Sequence, residues 1–446
     1  GVDLDAGGAS RDHGGLSGEE LDRMAATAVF GEGARLRDAA RWVIRRAAAT
    51  AGIWSASIQD LYTARGRGEC AGFTVPAMNI RGLTYDVSRA AFRAAVAADV
   101  GAVIFEIARS EIGYTDQRPA EYIAVVTAAA LRERFRGPLF IQGDHFQFNP
   151  SRYAADAEAE TQAVLDLTRE AIEAGFMNID IDASTLVDLE RGTLDEQQRV
   201  NYERAAQCVA QIRSLQPAGI DISVGGEIGE VGKKNSTPEE LAAFMDGLRR
   251  TLEKTGCTGA GPSKISVQSG TSHGGIPLPD GTVAAVKLDF QTLERLSSVA
   301  RDRYGMAGAV QHGASTLPAQ LFDRFPQVET AEIHLATGFQ NIIYSHPSFP
   351  QDLLTDIRKH LQAEHAAERA DGQTVEQFIY KTRKKAFGPF KRRLWEMDAG
   401  AREAIGRSLQ EQFSFLFDRL AVRGTRSTVD RFVVRRDIQL PRPEGI

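Results

Sequence analysis

The sequence predicts an α/β fold, a (β/α)8 TIM barrel with an N-terminal helical arm and a C-terminal helical extension. Three observations carry that prediction. Short β-branched or apolar runs alternate with longer amphipathic stretches, as parallel strands joined by crossover helices require. The runs number eight, which fits a closed barrel better than an open sheet. The 446 residues, 43% of them hydrophobic, bury a large core and exceed the roughly 250 residues of a plain barrel, so additional elements are expected.

In order, the strand runs occupy 73–78 (FTVPAM), 102–106 (AVIFE), 139–142 (LFIQ), 177–181 (MNIDI), 220–224 (IDISV), 264–267 (KISV), 308–311 (GAVQ) and 331–335 (AEIHL). Helical patterns lie between them. In 156–174, Val164, Leu167 and Ala171 recur at helical spacing before Gly175 ends the helix. Thr237-Pro238-Glu239-Glu240 combines an N-cap, a proline at the first helical position and a capping-box glutamate. Before the first strand, 16–60 reads as helices with Leu36, Ala40, Val43 and Ala47 on one stripe; the first 15 or so residues read as disordered. After about 350 the pattern is wholly helical, and Ile405, Leu409, Leu416 and Leu420 form a stripe suited to packing on the barrel or on a neighbouring subunit. The expected division is 1–60 for the disordered start and arm, 61–365 for the barrel and 366–446 for the extension.

Lys plus Arg total 53 against 59 for Asp plus Glu, a net charge of −6, so no global basic field argues for nucleic acid or an anionic membrane. One stretch, 381–393 (KTRKKAFGPFKRR), carries seven basic residues with aromatic neighbours; a solvated helix face or subunit contact is the expected reading, with a phosphate or nucleic-acid contact as the alternative. Cys70, Cys208 and Cys257 stand far apart with no CxxC, which suits a reducing cytoplasm and opposes a zinc-thiolate site. With no run of about 18 apolar residues, a membrane span is not expected. The expected partners are small molecules and further copies of the chain, as a dimer or tetramer.

In a parallel barrel the active site lies at the C-terminal ends of the strands. Gly143-Asp144-His145 follows the third run, Gly226-Glu227 the fifth, Gly270-Thr271-Ser272-His273-Gly274 the sixth and His312-Gly313-Ala314-Ser315 the seventh. Three of the eight histidines thus stand at strand ends. Three imidazoles that leave a coordination position open suit a catalytic Zn²⁺, with Co²⁺ or Mn²⁺ as substitutes and no organic cofactor expected. The adjacent glycines let backbone N–H groups approach an anion without a Cβ in the way.

Several separated motifs, in order over about residues 60–340, resemble the class II, zinc-dependent ketose-bisphosphate aldolases: FTVPAMN, GDH, GFMNIDIDAS, GGEIGEVG, SGTSHG and QHGAS. The resemblance implies that His145, His273 and His312 bind the metal, with Glu227 near or on it. It implies that Asp144 exchanges a proton with the aldehyde-derived hydroxyl, and that Asn79, Gly274, Gly313 and Ser315 contact a ketose phosphate. Asp182 and Ser184 match a buried pair that supports the ligands. The implied reaction is reversible aldol cleavage or condensation of a ketose or ketose phosphate through a metal-stabilised enediolate.

Departures from the family pattern gather around the substrate. Where the family has a lysine after the SHG motif, this chain has Gly275-Ile276-Pro277. The GEVGKKN loop has Lys233 and Lys234 where acidic residues are usual, leaving Glu230 as the nearest base. The family's Asn-x-Asp-Thr becomes His334-Leu335-Ala336-Thr337, so His334 and Thr337 are the expected substrate contacts on the last strand. Arg109, beside the position of a family serine, reads first as an ordinary surface arginine, with an anion contact as the alternative. These changes predict a substrate other than ordinary fructose 1,6-bisphosphate. Residues 106–115 and GDHFQFNP are also similar to the non-catalytic subunits of tagatose-bisphosphate aldolases, so a stabilising subunit is a second reading; a metal-dependent sugar epimerase or isomerase is a third.

Overall fold

The computed structural model describes residues 15–228, 234–270, 288–436, 438 and 441–443. Each of the eight predicted runs is a strand: β2 (Val75–Asn79), β3 (Ile104–Ala108), β4 (Gly137–Gln147), β5 (Asn178–Asp182), β6 (Ser223–Glu227), β7 (Lys264–Val267), β8 (Ala309–Gln311) and β9 (Glu332–Leu335). A ninth and earlier strand, β1 (Ile53–Ser55), lies in the arm that the sequence pattern reads as purely helical. All pairings are parallel. Neighbours pair in sequence order from β2 to β9, and Val75 opposite Glu332 closes the cylinder. The fold is therefore a closed (β/α)8 TIM barrel.

β1 pairs only with the first residues of β4, Ile53 opposite Gly137, ahead of the stretch of β4 that faces β3 and β5. The Asn178 side chain fastens the segment after β1: its amide donates to Ala56 O, and its Oδ1 accepts from Ile58 N–H at 2.9 Å. A buried polar side chain thus satisfies backbone groups that would otherwise be orphaned beneath the barrel.

β4 runs five residues past the predicted run, and the reason is a bulge. The register with β5 shifts between Gly143 and Phe146, and His145 within it takes φ +40°, a strained value for a non-glycine residue. Phe146 folds back under Gly143, where a Cβ would lie 2.5 Å from the ring, so a larger residue would have to displace the ring. The bulge re-aims Asp144 and His145 into the mouth of the barrel.

The helices Gly18–Phe30 and Gly33–Thr50 pack on the helix Pro119–Arg132. The helix Pro238–Lys254 starts at Thr237, whose side chain accepts from Glu240 N–H while Glu240 reaches back to the Thr237 N–H. The long helix Ala399–Arg419 buries Ile405, Leu409 and Leu416 against the barrel helix Thr84–Ala97 of the same chain, so that stripe is covered without a second subunit. No helix among the described residues is long and apolar enough to cross a membrane.

Candidate metal centre and the cavity above it

The C-terminal ends of the strands open into a cavity of about 1240 Å³. Asn79, Asp144, His145, His312 and His334 line its floor, with Gly313, Ser315, Thr337 and Arg109 around them. His273, Gly274 and Glu230 lie outside the described residues.

His145 and His312 turn their ring nitrogens toward each other, Nε2 to Nδ1 at 2.8 Å, and the rings lie 4.1 Å apart. Each is held at its other nitrogen. His145 Nδ1 meets Asp182 Oδ2 at 2.9 Å, and Asp182 Oδ1 accepts from the Ser184 hydroxyl at 2.7 Å and from its N–H. His312 Nε2 meets Ser266 Oγ at 2.9 Å, with Glu227 Oε2 at 3.6 Å. One donor atom from each of His145, His312 and Glu227 falls within a 4.8 Å cluster. This donor set fits a divalent cation: two imidazoles and a carboxylate converge, and each imidazole is oriented from behind. The field fits as well. Burial disfavours a charged His145, yet Asp144, Asp182 and Glu227 hold its pKa up at about 10, so the surroundings favour positive charge.

Asp144 stands beside that cluster. Its Oδ2 accepts from Asn79 Nδ2 at 2.8 Å, and its Oδ1 lies 3.1 Å from His334 Nδ1. Burial pushes its pKa up, but the charges of His145 and His334 and the Asn79 amide hold it well below the usual carboxylate range. His334 is shared: Nδ1 also lies 3.0 Å from Glu106 Oε1, and Nε2 lies 2.7 Å from Glu332 Oε1. Glu106 and Asp144 outweigh burial and keep it an imidazolium. The expected substrate contact at His334 is therefore also a strut between carboxylates.

Below it the barrel interior carries an ionic network that strand-end inspection misses. Lys264 is 1% exposed; its ammonium donates to Glu332 and, at 2.8 Å, to Gln142 Oε1, and lies 3.0 Å from Asp180 Oδ2. Gln142 donates to Glu106 Oε2 at 2.7 Å and Tyr62 to Glu332 Oε2 at 2.5 Å. Burial raises Glu106 to about 8 and Asp180 to about 6, against the attraction of His334 and Lys264 respectively. Glu332 resists burial through Lys264 and His334 and falls to about 2. The available signal was charge inside apolar strand runs: Asp180, Lys264 and Glu332 alternate with Ile, Val and Leu.

The remaining expected residues differ in availability. Arg109 reaches the cavity, but its guanidinium is tied to Glu160 and to Gln147 O at 2.7 Å. Arg81, which strand-end reading passes over, pairs with Glu111 at 2.6 Å and lies within 3.4 Å of Thr337 Oγ1.

The fold is similar to two solved structures of low identity. One is a probable tagatose 6 phosphate kinase from Sinorhizobium meliloti 1021, at 18% identity and TM-score 0.55, covering 80% of this chain and 93% of that one. The other is a fructuronate-tagaturonate epimerase from Cohnella laeviribosi, at 13% identity and TM-score 0.57, covering 86% and 85%. No curated protein matches the sequence. Residues 66–388 match the family described as Fructose-bisphosphate aldolase class-II. That match spans the barrel with its bulged histidine strand, and the chain belongs to the class II fructose-bisphosphate aldolase family.

Proposed function

We propose that the chain is a metal-dependent carbon–carbon lyase that cleaves and forms, by aldol chemistry, a ketose or ketose phosphate other than ordinary fructose 1,6-bisphosphate. The observation that carries the reading is that one donor atom from each of His145, His312 and Glu227 falls within a 4.8 Å cluster, with His145 and His312 beside Asp144 on the lining of one cavity. In this reading His145, His273 and His312 hold Zn²⁺, for which Co²⁺ or Mn²⁺ substitutes, with Glu227 beside or on it. A bound divalent cation would polarise the ketose oxygens and offset the negative charge that develops when the neighbouring carbon loses a proton.

The chain's own residues supply the rest. Asp182 and Ser266 fix the two imidazoles, so that His145 Nε2 and His312 Nδ1 face each other. Asp144 enters the reaction ionised, and its Oδ1 and Oδ2 are steered by His334 and Asn79, which suits a group that accepts the hydroxyl proton as the carbon–carbon bond breaks and returns it on condensation. Gly313, with φ +72°, and Ser315 offer backbone and hydroxyl donors at the rim, and Gly274 is assigned the same role. Glu230 is assigned the C–H proton. The protein acts as a homo-oligomer in the cytoplasm.

One observation favours an epimerase. His334 stands within about a hydrogen-bond length of both Asp144 and Glu106, so two carboxylates share one proton carrier at the floor of the cavity, an arrangement suited to returning a proton to carbon. A screen of ketoses, ketose phosphates and ketouronates on metal-loaded protein, with chelator and His312→Ala as controls, separates the readings. Shorter aldehyde fragments that vanish with chelator support the lyase. Epimers of unchanged mass replace it with the epimerase, and protein that recovers no metal and turns over nothing leaves the stabilising subunit.

A further inference from the structure

The basic stretch 381–393 is not a uniform solvated face. Lys385 pairs with Glu368, Lys391 with Glu121, Arg392 with Glu396 and Arg393 with Asp356, while Arg383 donates to Asn341. Lys381 and Lys384 are different. Both line the cavity above His145 and His312, and neither has a carboxylate within ion-pair distance among the described residues. Lys384 is half-buried, its ammonium 5.6 Å from the centre of the Tyr114 ring. Burial and the nearby Arg81 press its pKa down, and the more distant carboxylates of Glu111 and Glu368 offset this only in part.

The segment is held firmly in that position. Phe387 is buried against Gly82, where a Cβ would come within 2.0 Å of its ring. Gly388 approaches Tyr114 O so closely that its own Cβ would lie 2.5 Å away. Two glycine contacts therefore lock the turn Arg383–Ala386 over the loop that follows β2 and the helix Arg109–Thr115 that follows β3. Arg109, the alternative anion contact, is paired with Glu160, whereas these lysines have no such partner among the described residues.

We propose that Lys381 and Lys384 form an anion subsite in the cavity wall and bind the charged terminal group, carboxylate or phosphate, of a sugar whose other end lies at His145 and His312. The proposal rests on the reading of this cavity as a metal-dependent sugar site. It accounts for the absence of the family's lysine after the SHG motif: the cation arrives from the C-terminal segment instead. Two ammonium groups on flexible stems act as point charges, so they accept either anion without the planar fork an arginine would impose.

The test is calorimetric titration of the metal-loaded full-length protein with inorganic phosphate, a hexuronate, a ketose phosphate and the neutral ketose. The charged sugars should bind at least about tenfold more tightly than the neutral one, the worth of a charge-assisted hydrogen bond. Lys381→Gln/Lys384→Gln should abolish that preference, Lys384→Arg should retain most of it, and added salt should weaken it. The tighter of the hexuronate and ketose phosphate identifies the anion. Equal binding of charged and neutral sugars, or an unchanged preference in the double variant with its thermal unfolding intact, overturns the proposal. If metal-dependent turnover persists in that case, the lysine subsite alone is wrong. If no ketose is turned over but the anion preference is present and lost in the double variant, the subsite stands and the lyase reading falls.

Discussion

Lys264→Met removes the only ammonium inside the barrel network among the described residues while nearly preserving side-chain volume. The lysine touches Glu332, Gln142 and Asp180 and is 1% exposed. Its loss leaves two buried carboxylates facing each other, and breaking a buried pair from one side costs about 3–5 kcal/mol. With an unfolding entropy of roughly 2.1 cal/mol/K per residue, the whole chain carries about 0.9 kcal/mol/K, so the midpoint should fall by about 3–5 °C. Differential scanning calorimetry at pH 7 reads this directly. The deficit should shrink at pH 5, because carboxyls with raised folded pKa values hold their protons more readily when folded, and that contribution is present at low pH and lost as pH rises. Adding Glu332→Gln to the variant should recover at least half of the loss. A deficit below about 1 kcal/mol, or one indifferent to both pH and the second substitution, would refute the claim that Lys264 neutralises this cluster.

Other substitutions test neighbouring parts of the structure. Asp182→Asn should lower metal affinity by about 10–100-fold through loss of the charge behind His145, read by competition with a chromophoric chelator; unchanged affinity argues against that orientation. Gly143→Ala should cost about 1–3 kcal/mol in urea unfolding and lower metal retention, since the new Cβ meets the Phe146 ring and the bulge must shift. Glu106, raised to about 8 by burial, contributes stability that is complete below about pH 4.5 and lost as pH climbs through 8. Glu106→Gln should therefore gain on the natural protein in urea unfolding between pH 5 and pH 8, and a gap that is flat or reversed counts against the assignment. Cys208 is fully buried and its thiol is pushed up to about 12, so iodoacetamide followed by mass mapping should modify it only after denaturation.

The eight strand runs, their order and the polar residues that end them were legible because they are local: alternation of apolar strands with helices, and the barrel rule that chemistry sits at strand C-termini, need only neighbouring residues. Asp144, His145, Glu227 and His312 were found that way, and the structure brings them together. The bulge in β4 was not legible, because it depends on Phe146 packing back under Gly143. Nor was the interior network, whose members Glu106, Asp180, Lys264 and Glu332 come from four strands spread over more than half the chain. A charge in a strand reads as an anomaly until barrel closure supplies its partner. The same holds at the mouth: seven clustered basic residues look alike in sequence, and only packing decides that most are neutralised while Lys381 and Lys384 face the cavity. Periodicity determines where backbone elements form, because hydrophobic burial acts on the nearest turns; electrostatic compensation is settled between residues far apart in sequence, so it belongs to the tertiary structure.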